Sequence, residues 1–81
     1  MKVSVQFHSY LRRLTGRETW EVELPDGALV SDLLERTCEH FPQVREAGRS
    51  LLVAIGVEFA KRTDPLRDGD EVSLMPPLQG G

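Results

Sequence analysis

The side chains able to do chemistry in this chain are few and far apart. Its only cysteine is Cys38 and its only histidines are His8 and His40. A structural zinc or iron–sulfur site needs about four such ligands, so one thiol and two separated imidazoles do not make a metal centre. Cys38 falls on the apolar face of a helical segment, where a buried, inert thiol is the expectation rather than a nucleophile. Glu18, Glu21 and Glu23 read as a solvated strand face, not as carboxylates paired in a cleft. The seven glycines are scattered through turns, so no glycine-rich phosphate loop follows a strand. The body of the chain has no catalytic constellation of its own.

What remains is the end, PPLQGG, Pro76 to Gly81. Pro76 and Pro77 forbid helix and ladder pairing and favour a stiff polyproline conformation that holds the following residues away from the domain. Gly80 and Gly81 carry no side chains, so a partner enzyme can draw them through a narrow channel. A terminal carboxylate is ionised at neutral pH and needs activation, for example by adenylation with ATP, before a nucleophile attacks it. Two readings are open on chemistry alone: a rigid handle carrying one deliverable carboxyl group, and a tail that merely frays.

The elements that would position this tail can be read from periodicity. Val3, Val5 and Phe7 alternate with polar residues, giving a first strand, and Trp20, Val22 and Leu24 give a second. Between them Tyr10, Leu11 and Leu14 form a short helical turn stopped by Gly16, and Pro25-Asp26-Gly27 is turn chemistry. Ser31 is the expected N-cap of an amphipathic helix built on Val30, Leu33, Leu34, Cys38 and Phe41 and ended by Pro42. QVREAGRS then reads as irregular, with Gly48 a further stop. LLVAI, apolar on both faces, reads as a strand inside the sheet. Gly56-Val57 suits a type II′ turn into a return strand Glu58-Phe59-Ala60. KRTDPLRDGD is a loop with a tight turn at Asp68-Gly69, and EVSLM is the last strand. The order predicts an α+β fold in which one main helix covers one face of a mixed sheet of about five strands. With the first and last strands side by side and parallel, it is a β-grasp roll. Residues 1–75 form that domain and residues 76–81 an extended tail.

Length and composition agree. At 81 residues, 40% hydrophobic and 28% charged, the chain is one ordinary globular domain. With 10 Lys+Arg against 13 Asp+Glu, and no basic stripe, it fits a protein partner better than nucleic acid. One cysteine excludes an internal disulfide. No stretch approaches the roughly 20 apolar residues of a membrane span, and MKVSVQF lacks a signal-peptide core, so the expected location is the cytoplasm.

The segments FHSYLRRLTG (7–16), VELPDGALVSDLLERTCEHFP (22–42) and DPLRDGDEVSLMPP (64–77), followed by the terminal Gly-Gly, resemble the small subunit of molybdopterin synthase, a ubiquitin-like sulfur carrier with a β-grasp fold. The resemblance runs from Val3 to Gly81, with the motifs in order. It implies a chemistry for the tail. A ubiquitin-activating-type adenylyltransferase uses ATP and Mg²⁺ to adenylate Gly81, and a sulfur donor system converts it to a thiocarboxylate. The tail then enters the synthase large subunit, where sulfur passes to cyclic pyranopterin monophosphate. In related synthases two small subunits sit at the ends of a large-subunit dimer. The chain itself would bind no cofactor. Gly81 would be the donor and Gly80 the threading residue. Phe59, Met75, Pro76, Pro77, Leu78 and Gln79 would meet the partner, although Phe59 and Met75 can equally cap the small core. Arg12, Arg13, Lys61, Arg62 and Arg67 are available to acidic partner surfaces. One departure stands out: the family commonly has Val-Asn-Gly-Glu-aromatic where this chain has Ile55-Gly56-Val57-Glu58-Phe59. Other acceptors (a thiamine precursor, tRNA, cysteine synthesis), conjugation to lysines through Gly81, and a passive interaction module are the alternatives.

Overall fold

A computed structural model describes residues 1–47 and 50–77. Among these, five strands make one mixed sheet in the order β2-β1-β5-β3-β4. They are β1 (Lys2–Phe7), β2 (Thr19–Glu23), β3 (Leu52–Ile55), β4 (Glu58–Phe59) and β5 (Glu71–Met75). A short helix α1 (Leu11–Thr15) bridges β1 and β2, and α2 (Val30–His40) is the long helix. The first and last strands are parallel neighbours, Val5 level with Val72 and Phe7 with Leu74. This is the expected β-grasp arrangement.

The alternation of side chains sorts each strand into two faces. Val3, Val5 and Phe7 of β1, Trp20 and Val22 of β2, Val53 of β3, and Val72 and Leu74 of β5 point inward with Val30 and Leu33 of α2. The rings of Phe7, Trp20 and Phe41 close one end of this core by edge contacts, Phe7 to Phe41 at 5.5 Å and Trp20 to Phe41 at 5.1 Å. His40 stacks flat on Trp20 at 5.0 Å. Thr37, the one fully buried polar side chain among the described residues, satisfies its hydroxyl by donating to the Leu33 carbonyl at 2.7 Å.

Three local expectations need correction. The N-cap of α2 is Leu29, not Ser31, which lies in the first turn. The reason is tertiary. The 61–65 loop offers its carbonyls to the helix, Val30 N–H donating to Asp64 O and Ser31 N–H to Arg62 O, both at 2.9 Å. The orphan donors that a serine cap would serve are already paired. Asp32 supplies half of a capping box, its Oδ2 accepting from Leu29 N–H at 2.8 Å. The stretch after Pro42 is not irregular: Pro42–Glu46 forms a 3₁₀ turn that buries Val44. A period of three in so short a segment is not legible, and the stop expected at Gly48 lies outside the described residues. The return strand is also shorter than expected, ending at Phe59, with Ala60 adding one backbone hydrogen bond to Val53 O at 2.8 Å.

Candidate functional site

The start of β5 is locked before the tail begins. Asp68, Gly69 and Asp70 turn the chain, Gly69 at φ +87°. The turn then fastens to the first strand: Lys2 N–H donates to Asp68 Oδ1 at 2.7 Å and Gly69 N–H to Lys2 O at 2.8 Å. Asp70 Oδ2 closes the turn by accepting from Arg67 N–H at 2.8 Å. β5 then runs as the middle strand, paired on one side with β1 and on the other with β3, so Met75 leaves the sheet at a determined point. Pro76 and Pro77 follow outside any strand, half-buried. Leu78, Gln79, Gly80 and Gly81, four of the predicted site residues, lie outside the described residues.

On the face of the sheet away from α2, the residues fall into rows. Nearest the tail root, Leu52 stands directly opposite Met75. The next row runs Gln6, Ser73, Ala54, Phe59. Beyond it lies Glu21, Ser4, Glu71. The face therefore passes from apolar at the tail end to acidic at the far end. Opposed side chains in such pairs sit about 5 Å apart at Cβ, so Leu52 with Met75 and Ala54 with Phe59 form one contiguous strip. Phe59 is 75% exposed and Leu52 39%, while Met75 is half-buried. Phe59 accordingly does not cap the core.

Sequence reasoning named Phe59 and Met75 but missed Leu52. LLVAI was apolar at every position, so the pattern could not say which residues faced out. Only the pairing register and the two-residue β4, too short to cover its neighbour, expose Leu52. At the hairpin tip Gly56 has φ +62° and Val57 is not at positive φ, the pattern of a type II′ turn. Val57 is 99% exposed there.

The remaining candidates lie elsewhere. Cys38 is half-buried rather than buried, beside a shallow depression of about 540 Å³ lined with Leu34, Glu35, Glu39 and Arg45 on the helical side of the molecule. Glu18, Glu21 and Glu23 are exposed, as a solvated face requires. No group of three potential metal ligands forms among the described residues, nor is any helix there long and apolar enough to cross a membrane.

The model of the ThiS family matches residues 5–81, nearly the whole chain and its Gly-Gly end. The chain belongs to the ThiS family. A relative within reach of this ThiS-family chain is the molybdopterin synthase sulfur carrier subunit of Chlamydomonas reinhardtii, 32% identical over the full length of both chains. A Pyrococcus furiosus protein provisionally named molybdopterin converting factor subunit 1 superimposes with TM-score 0.88 at 29% identity, covering 96% of this chain and 99% of that one. SAMP1 from Haloferax volcanii superimposes with TM-score 0.90 over the whole of both chains at 22% identity, a likeness of fold.

Proposed function

We propose that this chain is the sulfur carrier subunit of a molybdopterin synthase and that its working group is the Gly81 carboxyl. One observation carries the reading: the family match extends through Gly81, and that end follows a strand whose exit is flanked by an exposed apolar strip. The algal and archaeal relatives are both named as subunits. A strip of exposed Phe59 and Leu52 with half-buried Met75, beside the tail, is what a subunit contact uses.

On this reading the chain supplies position and its partners supply catalysis. Gly81 attacks the α-phosphorus of ATP in the adenylyltransferase, with Mg²⁺ offsetting phosphate charge, and pyrophosphate leaves. A persulfide sulfur attacks the acyl carbon and AMP leaves. A second thiol cleaves the resulting acyl disulfide, and the net change at Gly81 is sulfur in place of one oxygen. The large subunit then receives the tail, and sulfur passes to cyclic pyranopterin monophosphate. Two such transfers complete the dithiolene. The strip of Leu52, Phe59 and Met75 seats the carrier, and Pro76 and Pro77, which cannot extend the ladder, end β5 beside it. Two carriers on a large-subunit dimer make a heterotetramer, working in the cytoplasm.

Intact mass after incubation with the adenylyltransferase, ATP and a sulfur donor tests this directly. The expected product carries one oxygen-for-sulfur exchange at Gly81, which a molybdopterin synthase large subunit then discharges. A tail that stays a carboxylate while a known carrier is charged defeats the reading. Charging without discharge, or conjugates to lysines, assigns the carrier to another acceptor.

A further inference from the structure

The chain holds two Asp-Gly pairs, Asp26-Gly27 and Asp68-Gly69, and the backbone turns at both in the same way. Across residues 25–28 the closing bond runs from Ala28 N–H to Pro25 O at 3.1 Å, with Gly27 at φ +88°. Across residues 67–70 it runs from Asp70 N–H to Arg67 O at 3.1 Å, with Gly69 at φ +87°. Positive φ at the third residue alone is the pattern of a type II turn, whose own bond does not use the amide between its two central residues. Tertiary structure then separates the pairs. Lys2 occupies both reactive groups of the second, its N–H donating to Asp68 Oδ1 at 2.7 Å and its carbonyl accepting from Gly69 N–H at 2.8 Å. The first pair has neither bond. Gly27 N–H donates to no described group. The Asp26 side chain is 97% exposed, and the Met1 ammonium is 3.6 Å from its Oδ1, beyond hydrogen-bond range.

We propose that Asp26-Gly27 is the site at which this chain isomerises to isoaspartate, and that Lys2 protects Asp68-Gly69 from the same reaction. The Gly27 backbone nitrogen attacks Asp26 Cγ and a C–N bond forms. One carboxyl oxygen leaves as water, taking the amide proton and a second proton from solvent, and a five-membered succinimide remains. Water then adds to one of the ring's two carbonyls. Addition at Cγ restores aspartate. Addition at the Asp26 main-chain carbonyl breaks its bond to Gly27 N, so the chain runs on through Cγ and the main-chain carbon becomes a free carboxylate. Nothing is oxidised, and the mass returns to its starting value. Glycine favours the attack because it has no side chain beside the nitrogen. An added Cβ would meet no atom within 4 Å at either glycine, so crowding does not distinguish the pairs. Hydrogen bonding does: the second pair must first release two bonds, each worth about fivefold. The product keeps its negative charge but lengthens by one atom the turn between β2 and α2, at the end of the sheet away from Met75. Its new carboxylate is the group that isoaspartyl carboxyl methyltransferases esterify, so the aged chain is a substrate for that class of enzyme.

Storage of the full chain in warm neutral buffer, with and without urea, followed by peptide mapping by mass spectrometry, reads each site separately. Methyl transfer by an isoaspartyl methyltransferase counts the total. In the folded chain isoaspartate should accumulate at Asp26 about 10-fold or more faster than at Asp68. In urea, where the bonds to Lys2 are lost, the two rates should converge. Asp26→Glu, which would need a six-membered ring, should remove the signal from its own peptide, leave that of Asp68 unchanged and move Tm by no more than a few degrees. Comparable rates in the folded chain, Asp68 ahead of Asp26, no isoaspartate at Asp26, or a gap that persists in urea would overturn the proposal.

Discussion

Phe59 keeps three quarters of its surface in water, beside Ala54 on a strand too short to shelter it. Truncating it removes no core contact, so Phe59→Ala should change unfolding free energy by no more than about 0.5 kcal/mol. In the complex the same change deletes an aromatic anchor of the kind worth about 2 kcal/mol or more, a loss of about 30-fold in Kd. Denaturant unfolding and a binding isotherm on one preparation check both halves. A large stability loss would mean that Phe59 serves the fold. At this scale the sequence was a partial guide. Phe59 and Met75 were legible because aromatic and methionine side chains near a tail invite a partner. Leu52 was not, since exposure depends on what lies across the ladder.

Among the elements, the β3–β4 hairpin carries Leu52 and Phe59 into the strip, and its turn depends on Gly56. At φ +62° any L side chain is strained, although a Cβ there would meet no atom within 4 Å. Gly56→Ala should therefore cost about 1–2 kcal/mol from backbone strain alone, read as a lower denaturation midpoint at unchanged m-value. Gly56→Asn, a residue found with glycine at the positive-φ positions of hairpin turns, should recover part of the loss. Equal stability of Ala and wild type would show that the turn relaxes freely. Most elements were legible because each has a strong local cause: period two in β1 and β2, Gly16 after α1, Pro42 after α2, Asp68-Gly69 before β5. The misread ones have tertiary causes. The cap of α2 comes from a loop thirty residues on, and the 3₁₀ turn is held by burying Val44.

For the whole molecule, carrier chemistry asks that one end be free while everything behind it is rigid. Adding a single residue after Gly81 should abolish thiocarboxylate formation and turnover, since the activated carboxyl then belongs to a different residue in a different place. The melting temperature should not move, and affinity for the large subunit should fall by less than about threefold, the strip being untouched. Mass spectrometry, calorimetry and a sulfur-transfer assay on that variant decide it, and unchanged turnover rules out a terminal thiocarboxylate. The fold class was readable at this scale because a single long helix can cover only one sheet face. The function was not readable from physics alone, because a frayed end and a working end have the same composition.

The central position of β5 has a mechanical side. A partner that draws in the C-terminus pulls along the axis of the strand to which it is attached. The hydrogen bonds of that strand run across the pull, on both flanks at once, to β1 in parallel and to β3 antiparallel. A load along the strand axis shears a ladder instead of unzipping it, and here two ladders must give together where an edge strand would have one. Tension on the tail is thus passed straight to the centre of the sheet, and the domain acts as a grip rather than a spring. A pull on the end of β5 is not lost in unravelling the strands beside it.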